Sequence, residues 1–437
     1  MKKSLLILMV MFLGTSLFAT NYTILVAPKK TDAYKNAKKM KDGKTIFAKN
    51  KIFKALNKAT ELLRQNKADT VNIKIAKGEY FGKMKGGSWG VGEIKNPMGT
   101  LRILGGYDAK FTKRAPFDNL TVLVGASYIL SFQGRKPQLK ELYISGLVMD
   151  VYRGNKYDAK SNCLLKGTSI TKPILHFSYW ELQKLVIADN VFLNSAHQAS
   201  APLIRPANKN VTVIIRNNFM VNNVYAWKAD AANYRYKLNN YIFKNNSFIL
   251  NWPYNPDPTT GTAGTLEVNS KSRLNNVEIS NNIFAYNVGG AINPLYQENR
   301  MPKMTIKNNL FFNNGTLFSV KSADTAAVIF KSAPSYITMT MEDIEDDFEW
   351  SVEGNVSFDP QIKIAIPGLK AADSSKVKAI SSDRNALRGM LGLNKKGRNV
   401  KISNYAPKHD ININSYFPTN PKAKKYGVQK SLVEQFK

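Results

Sequence analysis

The chain runs to 437 residues and carries 63 Lys plus Arg against 31 Asp plus Glu, a formal net charge of +32. Its one cysteine, Cys163, excludes an internal disulfide and any metal centre built on several thiolates. A single globular core of this length would be large, whereas a solenoid grows by adding repeats and escapes that limit.

Residues 1–20 combine Lys2 and Lys3 with an apolar run from Leu5 to Phe18 and a small residue, Ala19. That is the pattern of a secretory signal, and the run is shorter than the roughly 20 residues a membrane span needs. No later apolar stretch is long enough to cross a bilayer. The mature protein is therefore expected to be exported, periplasmic or extracellular, without a transmembrane segment. Residues 23–28 (TILVAP) read as a strand, and 53–65 as an amphipathic helix with Phe53, Leu56, Ala59, Leu62 and Leu63 on one side. Residues 71–82 (VNIKIAKGEYFG) then read as a second strand ending in Lys-Gly-Glu-Tyr.

From residue 185 one phrase recurs five times: LVIADNVFLN, VIIRNNFMVN, YIFKNNSFILN, VEISNNIFAYN and MTIKNNLFFNN. Aligned on Asn190, Asn218, Asn246, Asn282 and Asn309, the copies lie 28, 28, 36 and 27 residues apart by subtraction. Apolar residues on alternate positions indicate strands, and repetition at this period indicates stacked units. An asparagine pair tolerates left-handed backbone and marks a corner. If every coil turns there, the five asparagines stack into a ladder that pairs its own amides. Leaving each such amide buried and unpaired would cost about 1–3 kcal/mol.

These IxNNxFxxN repeats resemble those of the right-handed parallel β-helix superfamily, the fold of pectate, alginate and chondroitin lyases. The strand–helix–strand start resembles that family's N-terminal cap, residues 101–125 with their GGY resemble a segment of bacterial surface β-helices, and 354–362 (GNVSFDPQI) resemble late coils. The resemblance implies an all-β chain: a single right-handed parallel β-helix with an N-terminal capping helix and an irregular C-terminal segment. The organisation expected is signal 1–20, cap and first coils 21–100, β-helix 101–334, and late coils with a C-terminal capping strap 335–437. The strap is read from Asn404 onward, wrapping the C-terminal end; a separate small domain over 335–437 is the competing reading. The asparagine pair would turn the chain between the second and third strands of a coil. First strands would follow at 201–206, 225–230, 264–268, 290–295 and 316–320.

The charge points to polyanions, and in an exported β-helix to anionic polysaccharide. Nucleic acid is disfavoured, because no nucleic-acid module is present. In the lyases, a cation neutralises a uronate carboxylate while a base removes the adjacent proton, along the groove of the first strands. Carried over, that places Lys228, Arg205, Tyr225 and His197 as candidate catalytic residues, and Glu267 and Asn293 on the same outward face. Trp252 and Tyr254, in the longest insertion, are candidate sugar-stacking residues. His176 reads as packed, and His409 belongs to the tail. Carboxylates from 185 to 320 are few, which argues against glycoside hydrolysis and against a dense calcium site. The acidic run 342–349 is the one place for calcium, and no other cofactor is called for. The protein is expected to be a monomer. The alternative function is a non-catalytic envelope or adhesin-like scaffold.

Overall fold

The computed structural model describes residues 20–40, 42–82, 89–125, 128–132, 138–157, 159, 174–195, 202–206, 211–224, 226–229, 240–252, 264–269, 274–287, 290–295, 302–312, 314, 328–331, 336–339, 350–364 and 408–436. Short strands stack in parallel into three long faces. A groove face holds Trp89–Val91, Leu130–Phe132, the start of Leu175–Ala188, Pro202–Pro206, Trp227–Ala229, Gly264–Asn269 and Gly290–Leu295. A ladder face follows in each coil, including Gln138–Ser145, Thr212–Arg216, Asn240–Lys244, Asn276–Ser280 and Lys303–Lys307. The third, or strap, face runs from Gly78–Phe81 and Thr121–Val124 to Ile283–Ala285 and Leu310–Phe312.

Alternation decides what each strand buries. On the ladder face Val213, Tyr241, Val277 and Met304 share one inward row, and Ile215, Phe243, Ile279 and Ile306 another. On the strap face Phe192, Met220, Phe248, Phe284 and Phe311 align inward, with Phe248 and Phe284 stacked at 4.6 Å and Phe284 and Phe311 at 5.2 Å.

The corners between ladder and strap faces are set by residues in the left-handed region: Asp189, Asn217, Asn245, Asn281 and Asn308, with φ between 53° and 57°. The next residue in each coil enters the ladder. Asn218 Nδ2 donates to Ile187 O (2.9 Å) and to Asn246 Oδ1 (2.9 Å), while Asn218 Oδ1 accepts from Asn190 N–H and Nδ2 (3.0 Å each). The same set repeats through Asn246, Asn282 and Asn309, and Asn355 adds a further rung. Before Asn190 the corner is made by Gly146 (φ 75°), where a Cβ would lie 2.6 Å from Gly105 O.

A second ladder stands at the other end of the strap face. Asn223, Asn251, Asn287 and Asn314 bond rung to rung and back to Phe192, Met220, Phe248 and Phe284 carbonyls. Asn251, Asn287 and Asn314 are the trailing asparagines of the last three repeat phrases, read in the sequence only as part of the repeat, whereas Asn223 lies one residue beyond its phrase.

At the N-terminal end Asn21–Val26 pairs in parallel with Thr45–Phe47 and Thr70–Ala76. Helix α1 (Asp32–Lys39) is short; helix α2 (Ile52–Arg64) lays Ile52, Ala55, Leu56, Ala59, Leu62 and Leu63 on the open end of the core. This covers apolar surface that a bare solenoid end exposes. Phe53, placed on the buried side by periodicity, is instead 55% exposed, and Ile52 takes its place.

The part of the expected strap that the structure describes is 408–436, and it touches the late coils where Thr419 bonds Gln361 O. It travels up and back along the strap face, whose outer residues Val191, Leu193, Phe219, Val221, Ile249 and Ile283 it covers with Ile413, Tyr416, Ala423, Tyr426 and Val428. Turn asparagines grip its backbone. Asn194 accepts from His409 N–H (3.0 Å) and donates to His409 O (2.9 Å); Asn217 does the same to Gln429 (2.8 and 3.1 Å). Between these points Asn420 reaches Asp359 O, and Gly427 N–H returns to Asn281 O. The return ends where Arg114 donates to Glu434 O (2.6 Å) and Arg102 and Arg114 flank the Phe436 ring at 5.4 and 5.5 Å. Burial in the same apolar cluster as the strap face makes this segment part of one body.

Candidate functional site

The groove face keeps its strands in backbone register. One row of partners runs Gly90, Ser131, His176, Leu203, Lys228, Glu267 and Asn293, while Trp227, Leu266 and Ile292 of the same strands point into the core. Adjacent strands lie about 4.8 Å apart, so neighbours along the row are within side-chain reach.

Two of the candidate residues are in contact there. Lys228 Nζ lies 2.5 Å from Glu267 Oε1; the lysine side chain is 22% exposed and the glutamate 1%. The contact is an ion pair, and Glu267 Oε1 has no hydrogen-bond partner among the described residues. This corrects the reading of Glu267 as an open groove contact: it is a buried partner of Lys228. Thr265 Oγ1, outward on the same strand, and Trp227 Nε1, inward beside Lys228, are buried without a hydrogen-bond partner among the described residues. Neither was singled out in the sequence, because an unfilled donor or acceptor has no sequence signature.

Arg205 sits on Pro202–Pro206 with its backbone in register with Ser178, two residues beyond Leu203, the partner of Lys228. Asn293 is in register with Glu267. Tyr225, His197, Tyr254, the strand expected at 316–320 and the acidic run 342–349 lie outside the described residues. In the coil after Gly290–Leu295, Val328–Lys331 joins the groove face. Trp252 is corrected outright. It is 3% exposed, packs in the strap-face cluster, and donates Nε1–H to Asn222 Oδ1 at 2.8 Å, so its ring is closed to a sugar. His176 is half-buried and stacks on Tyr128 at 4.8 Å. Among the described residues no group of three His, Cys, Asp or Glu is placed to hold a metal, and no helix is long and apolar enough to cross a membrane.

Two shifted groups lie away from the groove, at the strap. Burial pushes the Asp150 carboxyl up to about 7, against the opposing pull of the Asn194 amide, the Tyr152 N–H and Lys408. Burial also lowers His409, whose backbone Asn194 holds, to about 4, with Asp410 acting the other way. A third charge cluster is fully enclosed. Arg114 Nη1 meets Asp189 Oδ2 at 3.1 Å, Nε reaches Gly105 O at 3.0 Å, and Ser145 Oγ bridges both side chains. Asp189 also accepts from Asn217 Nδ2 at 2.7 Å. These groups tie coils and strap together.

No family model matches the chain, and no curated protein or solved structure matches it. The functional reading rests on the groove's own geometry.

Proposed function

We propose that the chain is an exported right-handed parallel β-helix protein, similar to the pectate-lyase-like superfamily, that binds anionic polysaccharide along its groove face and acts on it as a β-eliminating lyase. The observation that carries this reading is Lys228. It is a cation held beside Glu267 on the groove face, partly exposed, and an ammonium of this kind can pair with a uronate carboxylate. The Lys228–Glu267 pair is close to neutral, so the attraction for a polyanion comes from the chain's net +32 and from neighbouring cations such as Arg205.

A second reading is favoured by the same contact. An ammonium committed to a buried carboxylate is also a cross-strand pair that holds two coils in register, as in a non-catalytic envelope scaffold. The purified protein should be tested for retention on alginate, pectate, chondroitin and heparan columns. Formation of the unsaturated uronate product should be followed by ultraviolet absorbance, with and without calcium. Retention and product, both lost in Lys228→Ala and Arg205→Ala variants that melt normally, support the lyase. Retention without product supports a binding scaffold. Neither retention nor product overturns the polysaccharide reading.

A further inference from the structure

The two ends of the strap face differ. At its far end the last repeat strand, Leu310–Phe312, is covered: Phe311 N–H donates to Val356 O (3.0 Å) and Val356 N–H to Asn309 O (2.9 Å). At its near end the terminal strand is Gly78–Phe81, which among the described residues pairs only with Thr121–Val124. Gly78 N–H donates to Leu120 O (2.8 Å) and Gly82 N–H to Val124 O (2.9 Å). In a parallel ladder alternate residues bond to opposite sides, so the N–H and C=O of Glu79 and Phe81 point to the free edge. Among the described residues they have no hydrogen bond outside that pairing.

A cleft of about 450 Å³ lies along this edge, between the strand and the chain entering α2. Phe53 and Phe81 both line it and are 55% and 59% exposed, among the few large apolar side chains so placed on the described surface. Lys29 and Lys51 stand on its rim with Glu79 as the one acid. An unpaired strand edge is a template for another strand, and native proteins normally blunt or cover one. Here it is left open beside apolar side chains.

We propose that this cleft takes an extended acidic peptide segment of a partner protein, added as a strand to Gly78–Phe81. Backbone bonds to Glu79 and Phe81 supply the pairing, alternate apolar side chains of the peptide contact Phe53 and Phe81, and its carboxylates meet Lys29 and Lys51. A sugar would use the rings and the lysines but has no use for a row of strand N–H and C=O groups, which is why a peptide is the occupant the edge selects.

The test is calorimetric titration of the full chain with an acetylated hexapeptide alternating Glu and Val. The controls are a Lys/Val counterpart, two Glu/Val peptides N-methylated on one or the other alternate set of amides, and an oligouronate. The expected result is saturable binding of the Glu/Val peptide, weakened about tenfold or more in the Lys/Val peptide and by one of the two methylation patterns. Phe81→Ala and Lys51→Glu should each weaken it several-fold; both side chains are exposed, and an unchanged melting curve will show that the fold is intact. The proposal is overturned by the absence of binding, by equal binding of both methylated peptides and the parent, or by equal binding of the Lys/Val peptide. It is also overturned if the oligouronate displaces the peptide, or if the peptide acts only by dissociating a self-associated form seen in sedimentation.

Discussion

The strap side and the groove side of this solenoid are built on opposite terms. On the strap side, ladder asparagines are buried with their side-chain amides paired rung to rung, and turn asparagines spend their amides holding the strap. On the groove side the described residues form no such ladder: the Lys228–Glu267 ion pair holds two strands, and buried groups without a hydrogen-bond partner occur on both sides, at Thr265 Oγ1 on one and at Ser195 Oγ and His409 Nε2 on the other. Repeated rungs therefore hold the coils in register on the ladder side, and the groove side relies on cross-strand pairs such as Lys228–Glu267.

The largest effect that would break this contrast is expected at Arg114. Replacing it with Met leaves Asp189 charged and enclosed, with a cost of about 3–5 kcal/mol, read as a lowered denaturation midpoint. The later coils carry Asn at the position of Asp189. Adding Asp189→Asn to Arg114→Met should therefore recover most of the loss. If the single variant melts like the parent, the cluster is not holding the coils. Next in size is Asn246→Ala. It removes the donor to Ile215 O and the acceptor of Asn218 N–H, leaving two buried backbone groups of the preceding coil unpaired. Roughly 2–4 kcal/mol is expected, and an equal loss at Asn251→Ala would show that the second ladder carries the same weight.

On the groove side the two partners should respond unequally. Lys228→Met strands a buried carboxylate and should cost about 2 kcal/mol or more, whereas Glu267→Gln frees a half-solvated ammonium and should cost under about 1 kcal/mol. Equal losses would mean that the pair is structural in the same sense as the ladders. The strap should add a pH signature. Asp150 is raised to about 7, so its contribution is full below its unfolded value near 4 and is lost as pH rises through 7. His409 is lowered to about 4, so its contribution is full above its unfolded value near 6.5 and is lost as pH falls through 4. The two slopes oppose each other between pH 4 and 6.5. Asp150→Asn should leave stability rising with pH across that window, and His409→Gln should leave it falling, each by up to about 1 kcal/mol per pH unit. Parallel curves for both variants and the parent would remove the strap from the pH response.

What could be read from the sequence follows from the same contrast. The ladder rungs Asn190 to Asn309 repeat because each coil solves the same corner with the same residue, and repetition is visible in a single chain. The parallel strands of α2's neighbours and the five repeat coils follow the alternation for the same reason. The strap does not repeat: Tyr416, Val428 and Phe436 are spaced by the geometry of the surface they cover, which leaves no period to detect. Trp252 was misplaced because a Pro-rich insertion resembles a groove loop in sequence, while its first residues still belong to the corner that Asn222 completes. Glu267 was placed on the correct side of its strand, but alternation cannot reveal that an outward side chain is covered.

The smallest prediction separates two asparagines that are adjacent in sequence. Asn245 holds φ at 55°, while Asn246 is the rung. At Asn245 the requirement is on the backbone: its N–H donates to Ser280 O, and its left-handed conformation disfavours a Cβ-bearing residue without a compensating local hydrogen bond. Asn245→Ala should cost about 1 kcal/mol and Asn245→Gly close to nothing. At Asn246 Gly should be no better than Ala, since what is lost there is the amide. Two neighbouring positions with opposite rankings of Gly against Ala, measured as differences in denaturation midpoint, would show the corner and the ladder to be separable devices. If Asn245→Gly loses as much as Asn246→Gly, the pair acts as one unit and the corner itself depends on the first side chain.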